Sequence, residues 1–187
     1  MPTLTNTDRR QLTGTYTIDP SHSRIGFVAR HAMVTKVRGG FNEFTGTFTL
    51  DGENPTESTA EITIEGASID TRNEDRDGHI RSSDFLALDQ HPQLSFVTSA
   101  VELRGDTDYR VTGDLTVRGV TKPVTIDLEF TGSAVDPWGN LRVGFEGATQ
   151  VNRKDWGVNW NTVLEAGGVL VSEKVTLEVE ISATKDA

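Results

Sequence analysis

The chain of 187 residues carries 18 Lys plus Arg against 28 Asp plus Glu, a formal charge of −10, with 18 Gly, four His and no Cys. This length suits one all-β domain, and a hydrophobic fraction of 35% with frequent Gly fits many turns and exposed strand faces better than a helical bundle. The charge sets nucleic acid aside as a partner, because a phosphate backbone would be repelled, and the lack of Cys excludes disulfides, thiolate zinc sites and a Cys nucleophile.

Residues 1–13 are polar, Thr-rich and aperiodic, and read as a flexible leader before a single domain over 14–187. They lack the apolar segment of an export signal, and no stretch approaches the length of a membrane span, so the chain reads as cytoplasmic. From Tyr16 a period of two takes over, which marks strands with one apolar face. Tyr16 and Ile18 alternate with Thr and Asp up to the turn Asp19-Pro20-Ser21. Ile25, Phe27, Ala29 and His31 then share a face. After Gly39-Gly40 a further face holds Phe44, Gly46, Phe48 and Leu50, and a bulge near Asn42 would bring Phe41 onto the same side. Residues 51–55 form a loop, and Ala60, Ile62 and Ile64 make the next face.

Residues 72–86 read as one short helix, opened by a capping box of Thr71 and Glu74, with Phe85-Leu86 packing it over one rim. Alternation resumes at Leu94 and Phe96, then Val101 and Leu103, and continues through Tyr109, Val111, Leu115 and Val117. Val124, Ile126, Leu128 and Phe130 follow. Leu141, Val143, Phe145 and Gly147 form another face, and Val175, Leu177, Val179 and Ile181 close the series. Residues 152–168 have neither period and read as an irregular lid or turn. About eight antiparallel strands result.

Such strands bury their faces by pairing two sheets or by closing one sheet on itself, and the alternation is compatible with both. A closed sheet of about eight strands has room inside for side chains or for one small ligand. Ala29, Gly46, Gly113 and Gly147 fall in phase with the large inward residues, so they either leave space or relieve crowding. An apolar interior would select a long ligand: each buried methylene contributes ~0.8 kcal/mol, while association costs on the order of 4–15 kcal/mol.

The segments just described resemble a known family. Ile18-Asp19-Pro20-Ser21-His22-Ser23 leading to Phe27 and Arg30-His31, then Gly39-Gly40-Phe41 with Phe44-Thr45-Gly46, look like the start of the YceI-like family. The run from Ser68 to Leu86, followed by His91-Pro92, is similar to its most distinctive stretch. The segments from Gly113 to Thr121 and from Arg153 to Gly157 are similar to later ones. The likeness covers roughly residues 14–185. It implies an extended eight-stranded antiparallel lipocalin-like barrel that binds polyisoprenoid lipid in its pore, with no catalytic residues. Many relatives carry an export signal, which this chain lacks at its N-terminus.

Three other patterns in the sequence suggest sharper chemistry. Asn73, Asp75, Asp77, Gly78, Ile80 and Asp84 match an EF-hand-like loop in spacing. Position 12 is Asp where Glu is required, Arg72, Arg76 and Arg81 crowd the segment with positive charge, and residues 65–69 read as a strand, so a surface helix is expected instead. His22, His31, His79 and His91 would support a small enzyme with a His or metal centre only if the fold gathered them. Trp138, Trp156 and Trp160 lie in or beside turns and suit plugs at the barrel ends.

The expectation is a non-catalytic carrier without metal or cofactor, holding a long-chain isoprenoid. Its proposed contacts are Ile25, Phe27, Phe44, Phe48, Ile62, Ile64, Leu94, Phe96 and Phe145 in the pore. His31 stands near a head group, and Phe85 and Trp156 lie at a rim. Transient membrane contact and a homodimer through exposed strand edges are compatible with this expectation. The alternatives are the small enzyme or a structural β-sandwich with a filled core.

Overall fold

The alternating faces come together in one sheet. A computed structural model of the chain describes residues 6–165 and 167–187. A short helix α1 (Asn6–Gln11) precedes β1 (Gly14–Ile18), β2 (Arg24–His31), β3 (Thr35–Phe41), β4 (Phe44–Leu50), β5 (Thr59–Glu65) and the two-residue β6 (Ile69–Asp70). Helix α2 (Glu74–Arg81) follows, then β7 (Gln93–Leu103), β8 (Asp108–Val117), β9 (Val120–Val135), β10 (Leu141–Asn152) and β11 (Lys174–Lys185). All pairings are antiparallel. The order β1-β4-β5-β7-β8-β9-β10-β11 returns to β1, so eight strands close a barrel and the sandwich alternative falls away.

The remaining strands extend the barrel wall. The edge of β11 serves two partners in turn: residues 183–185 face β1 and residues 176–180 face β2. β4 and β3 take the next position around the wall, each paired to one of those two, and β6 pairs with β3. Between the pairs Thr17 with Thr47 and Ile25 with Phe41 this ladder is interrupted. There the chain makes a 3₁₀ turn at Pro20–His22, capped by Asp19, whose carboxylate accepts from the Ser21 amide. β3 was not expected: its outward Lys36 and Arg38 and its Gly39-Gly40 hide the apolar signal.

Several local expectations need correction. No bulge realigns Phe41; β3 ends at Phe41 and β4 begins at Phe44, and the two-residue break resets the phase. Bulges occur instead at Ser99, where Thr98 pairs with Gly113 and Ala100 with Thr112, and at Thr131 opposite the Gly144–Phe145 step. The first explains why the inward phase of β7 passes from Leu94 and Phe96 to Val101. The capping box does not form. Asn73 caps α2, its Oδ1 accepting from the Arg76 amide at 3.0 Å, while buried Thr71 donates through its amide to Asp77 Oδ1 at 2.9 Å. The EF-hand-like residues therefore lie in and around a helix, with Asp77 consumed by Thr71.

Residues 6–13, expected to be part of a flexible leader, include α1 and a buried Leu12. Tyr16, with no exposed surface, donates its hydroxyl to the Leu12 carbonyl at 2.7 Å and stacks on Phe48 with ring centres 5.2 Å apart. Burial pushes the Tyr16 hydroxyl up to about 12, which keeps the buried phenol neutral. Gly52 is required where α1 meets the barrel, since a Cβ there would overlap the Arg9 carbonyl.

Candidate functional site

The barrel encloses a cavity of about 240 Å³. This exceeds the roughly 150 Å³ at which an apolar cavity stays dry and accepts benzene. Its walls come from β1 to β5 and from the long strands β7 to β11. Among the described residues of the lining Tyr109 is the single titratable one, and burial pushes its phenol upward, so the lining they form is uncharged at neutral pH.

Of the residues singled out from the sequence, Ile25, Phe27, Phe48 and Ile62 line this cavity, as do Ile64, Leu94, Phe96 and Phe145. The other four lie elsewhere. Phe44 is buried in the main core and borders a neighbouring surface recess. His31 is in phase with Phe27 but sits exposed at the end of β2, beyond the cavity. Phe85 and Trp156 belong to a second cluster with Val124 and Val158. That cluster caps one end of the barrel, for it packs on Phe96, Leu115 and Val117, which also belong to the cavity wall.

Lining residues outside that set include Ile18, Phe41, Val111, Leu115, Val179 and Ile181. All but Phe41, which belongs to β3, carry the same alternation signal as the others. What singles out the lining among all inward residues is position along the barrel axis, and no sequence period reports that.

The in-phase glycines do not create the space. A Cβ at Gly46 would lie 2.7 Å from Ile18 Cδ1, one at Gly113 2.4 Å from Phe96 Cζ, and one at Gly147 2.9 Å from Leu128 Cδ2. Large side chains already lie over each glycine, so these positions relieve crowding. The cavity follows from the width of the barrel, with Phe145 standing edge-on to Phe48, Tyr109 and Phe130 at 5.9, 5.7 and 5.3 Å.

Hydrogen bonds hold the cap. Trp156 donates its indole N–H to the Leu115 carbonyl at 2.8 Å, and the buried Arg153 donates to the carbonyls of Ser172, Val158 and Val171. Trp160 packs on His79 and Phe85. Trp138, by contrast, is 81% exposed and plugs nothing.

The histidines are engaged separately. His22 bonds Asp19, His79 bonds Asp84, His91 lies against Gly119 and His31 is at a hairpin end. Among the described residues no three His, Asp or Glu side chains converge to hold a metal ion.

At the interrupted ladder, Ile25 and Phe41 belong both to the cavity wall and to an outer recess that includes Arg24, Arg38, Asp70 and Arg72.

This architecture is shared with known proteins. A UPF0312 protein of Pectobacterium atrosepticum is 42% identical over 137 residues, covering 73% of this chain and 71% of the relative. Protein YceI of Escherichia coli O17:K52:H18 is 41% identical over 145 residues, covering 76% and 75%. The crystal structure of Burkholderia cenocepacia BcnA matches with a TM-score of 0.79 at 23% identity, over 89% of this chain and 99% of that one. A Saccharophagus degradans structure described as a polyisoprenoid binding domain matches with a TM-score of 0.69 at 13% identity, over 91% and 98%. The model of the YceI-like domain matches residues 16–183, and with these relatives it shows that the chain belongs to the YceI-like family.

Proposed function

We propose that this protein is a non-catalytic carrier that holds the tail of a long-chain isoprenoid in its barrel, without a resident cofactor or metal. The observation that carries the reading is the uncharged, apolar cavity of about 240 Å³ at the centre of the closed sheet. Burial of hydrocarbon is the dominant interaction such a lining offers, and its strength grows with chain length. A polar metabolite entering it would lose its hydration with few partners to replace it. The Saccharophagus structure, described as a polyisoprenoid binding domain, has the same architecture and supports the choice of ligand class.

Mass spectrometry of an organic extract of the purified protein tests the proposal. A prenyl lipid recovered near one equivalent is the expected result. Extracts that repeatedly contain nothing longer than a short metabolite would overturn it.

A further inference from the structure

The β2–β3 hairpin is locally unfavourable in three ways. First, its turn places Ala32 and Met33 at φ of 51° and 61°, with the Val34 amide donating to the His31 carbonyl. Two successive left-handed residues make a type I′ turn, which favours Asn-Gly, and here neither residue is Gly or Asn. Second, that strained turn displays Met33 at 64% and Val34 at 74% exposure. Third, Arg30 and Lys36 stand directly opposite each other, a cross-strand like-charge pair. Three unfavourable choices at one tip point to a surface that compensates for them.

The charge there runs against that of the whole molecule. Residues 24–42 contain four Lys or Arg and no Asp or Glu, in a chain of net charge −10. Beside the hairpin, His31, Lys36, Arg38, Arg72 and Arg76 line a recess of about 360 Å³ that has no carboxylate in its lining. Among the described residues Lys36, Arg72 and Arg76 form no ion pair, and Arg38 has only Glu178, at 3.8 Å. The adjoining loop is tied to the tip by the Ala32 amide donating to the Leu170 carbonyl at 2.7 Å. That loop, residues 157–173, adds Val163, 79% exposed, and two carboxylates, Glu165 and Glu173, the second paired with Lys154 at 2.7 Å.

We infer that this end of the barrel docks on an anionic lipid bilayer, with Met33, Val34 and Val163 entering the interface and the basic recess meeting lipid phosphates. Screening over roughly 8 Å at physiological salt makes the local charge, and not the net −10, decide the encounter. The opposite end also exposes apolar side chains, Val135 and Trp138, but the arginines there are each matched by a carboxylate: Arg9 by Asp106, Arg10 by Glu53, and Arg142 by Asp19 and Asp136. The hairpin end instead joins its apolar side chains to cations that, Arg38 aside, have no carboxylate partner among the described residues. The inference rests on the carrier reading for its purpose, since docking would bring the barrel to its source of lipid.

Vesicle co-sedimentation of the full chain tests it, using phosphatidylcholine alone and phosphatidylcholine with 30% phosphatidylglycerol. Each basic side chain near a charged surface contributes about fivefold to partitioning. The wild type is expected to partition at least tenfold better onto the anionic vesicles at low salt, and to lose that preference as salt rises. Met33→Glu with Val34→Glu, and separately Lys36→Gln with Arg38→Gln, should each lower anionic binding at least tenfold, while Trp138→Glu leaves it unchanged. All five positions are exposed, and unchanged melting temperatures establish that the variants fold. Equal binding to the two vesicle types, binding to neither, or wild-type binding by both double variants would overturn the inference. Anionic-vesicle binding by a protein whose extract contains no lipid would overturn the carrier reading alone.

Discussion

Replacing Phe145 by Ala probes both the packing and the purpose of the cavity. Phe145 is 8% exposed, makes T-shaped contacts with three aromatic rings, and lines the cavity. Truncation of a buried Phe costs about 3–5 kcal/mol, from lost transfer energy plus the new void. Because the ring borders the cavity and has fewer packing partners on that side, less dispersion energy is lost there, and we expect about 3 kcal/mol in lipid-free protein. The new void merges with the existing one, so an added prenyl alcohol gains room. Urea unfolding of lipid-free wild type and variant, each with and without the alcohol, provides the assay. Ligand at 100 times its Kd stabilises by about 2.7 kcal/mol, and the variant should gain at least as much as the wild type. A loss below about 1 kcal/mol would refute the packing argument. A normal loss with no stabilisation of either protein by the alcohol would refute the cavity as the binding space.

Other perturbations address the wall, the cap and the break between β1 and β2. Gly113→Ala would press a Cβ onto the Phe96 ring and the Val97 carbonyl; about 1–3 kcal/mol of destabilisation is expected, together with weaker lipid binding as Phe96 shifts into the cavity, both read by titration and melting. Arg153→Ala leaves the Ser172 and Val158 carbonyls without their donor, while the Val171 carbonyl keeps Asn161, and unfolding should become easier by about 2–5 kcal/mol; a change under 1 kcal/mol in denaturant would show that water replaces the guanidinium freely. The hydrogen bond from Ser21, reinforced by Arg142 and His22, holds the Asp19 carboxyl well below the usual carboxylate range. A carboxylate depressed in the folded state stabilises above its unfolded value of about 3.9 and loses that contribution as pH falls toward the folded value. The stability gap between wild type and Asp19→Asn should therefore be widest near neutrality and shrink below about pH 4, and a gap that is constant with pH would contradict the assignment.

Much of the barrel wall was legible because strand geometry alone sends alternate residues to opposite faces. Ile62 and Ile64, or Leu94 and Phe96, reach the interior whatever the sheet closes upon. α2 was legible in outline from its charged run, but its cap was not. Thr71 and Glu74 have capping-box spacing, yet Thr71 is drawn to Asp77 by a packing arrangement that involves β3, where Gly39 lies against the Thr71 methyl. β3 itself was hidden because its stability comes from pairing with β2 and not from an apolar pattern of its own.

The amino-acid order by itself thus determined the strands with apolar faces, the chain's likeness to the YceI-like family and an interior lined with Ile, Leu, Val and Phe. The tertiary structure alone decided that the sheet closes, that Gly46, Gly113 and Gly147 are covered by neighbouring side chains, and that His31, Phe85 and Trp156 lie away from the cavity. The physical reason is range. Side-chain alternation is a property of each strand, whereas ring closure, the depth of a residue along the barrel and the volume left inside arise from pairings between residues as distant as Tyr16 and Lys185.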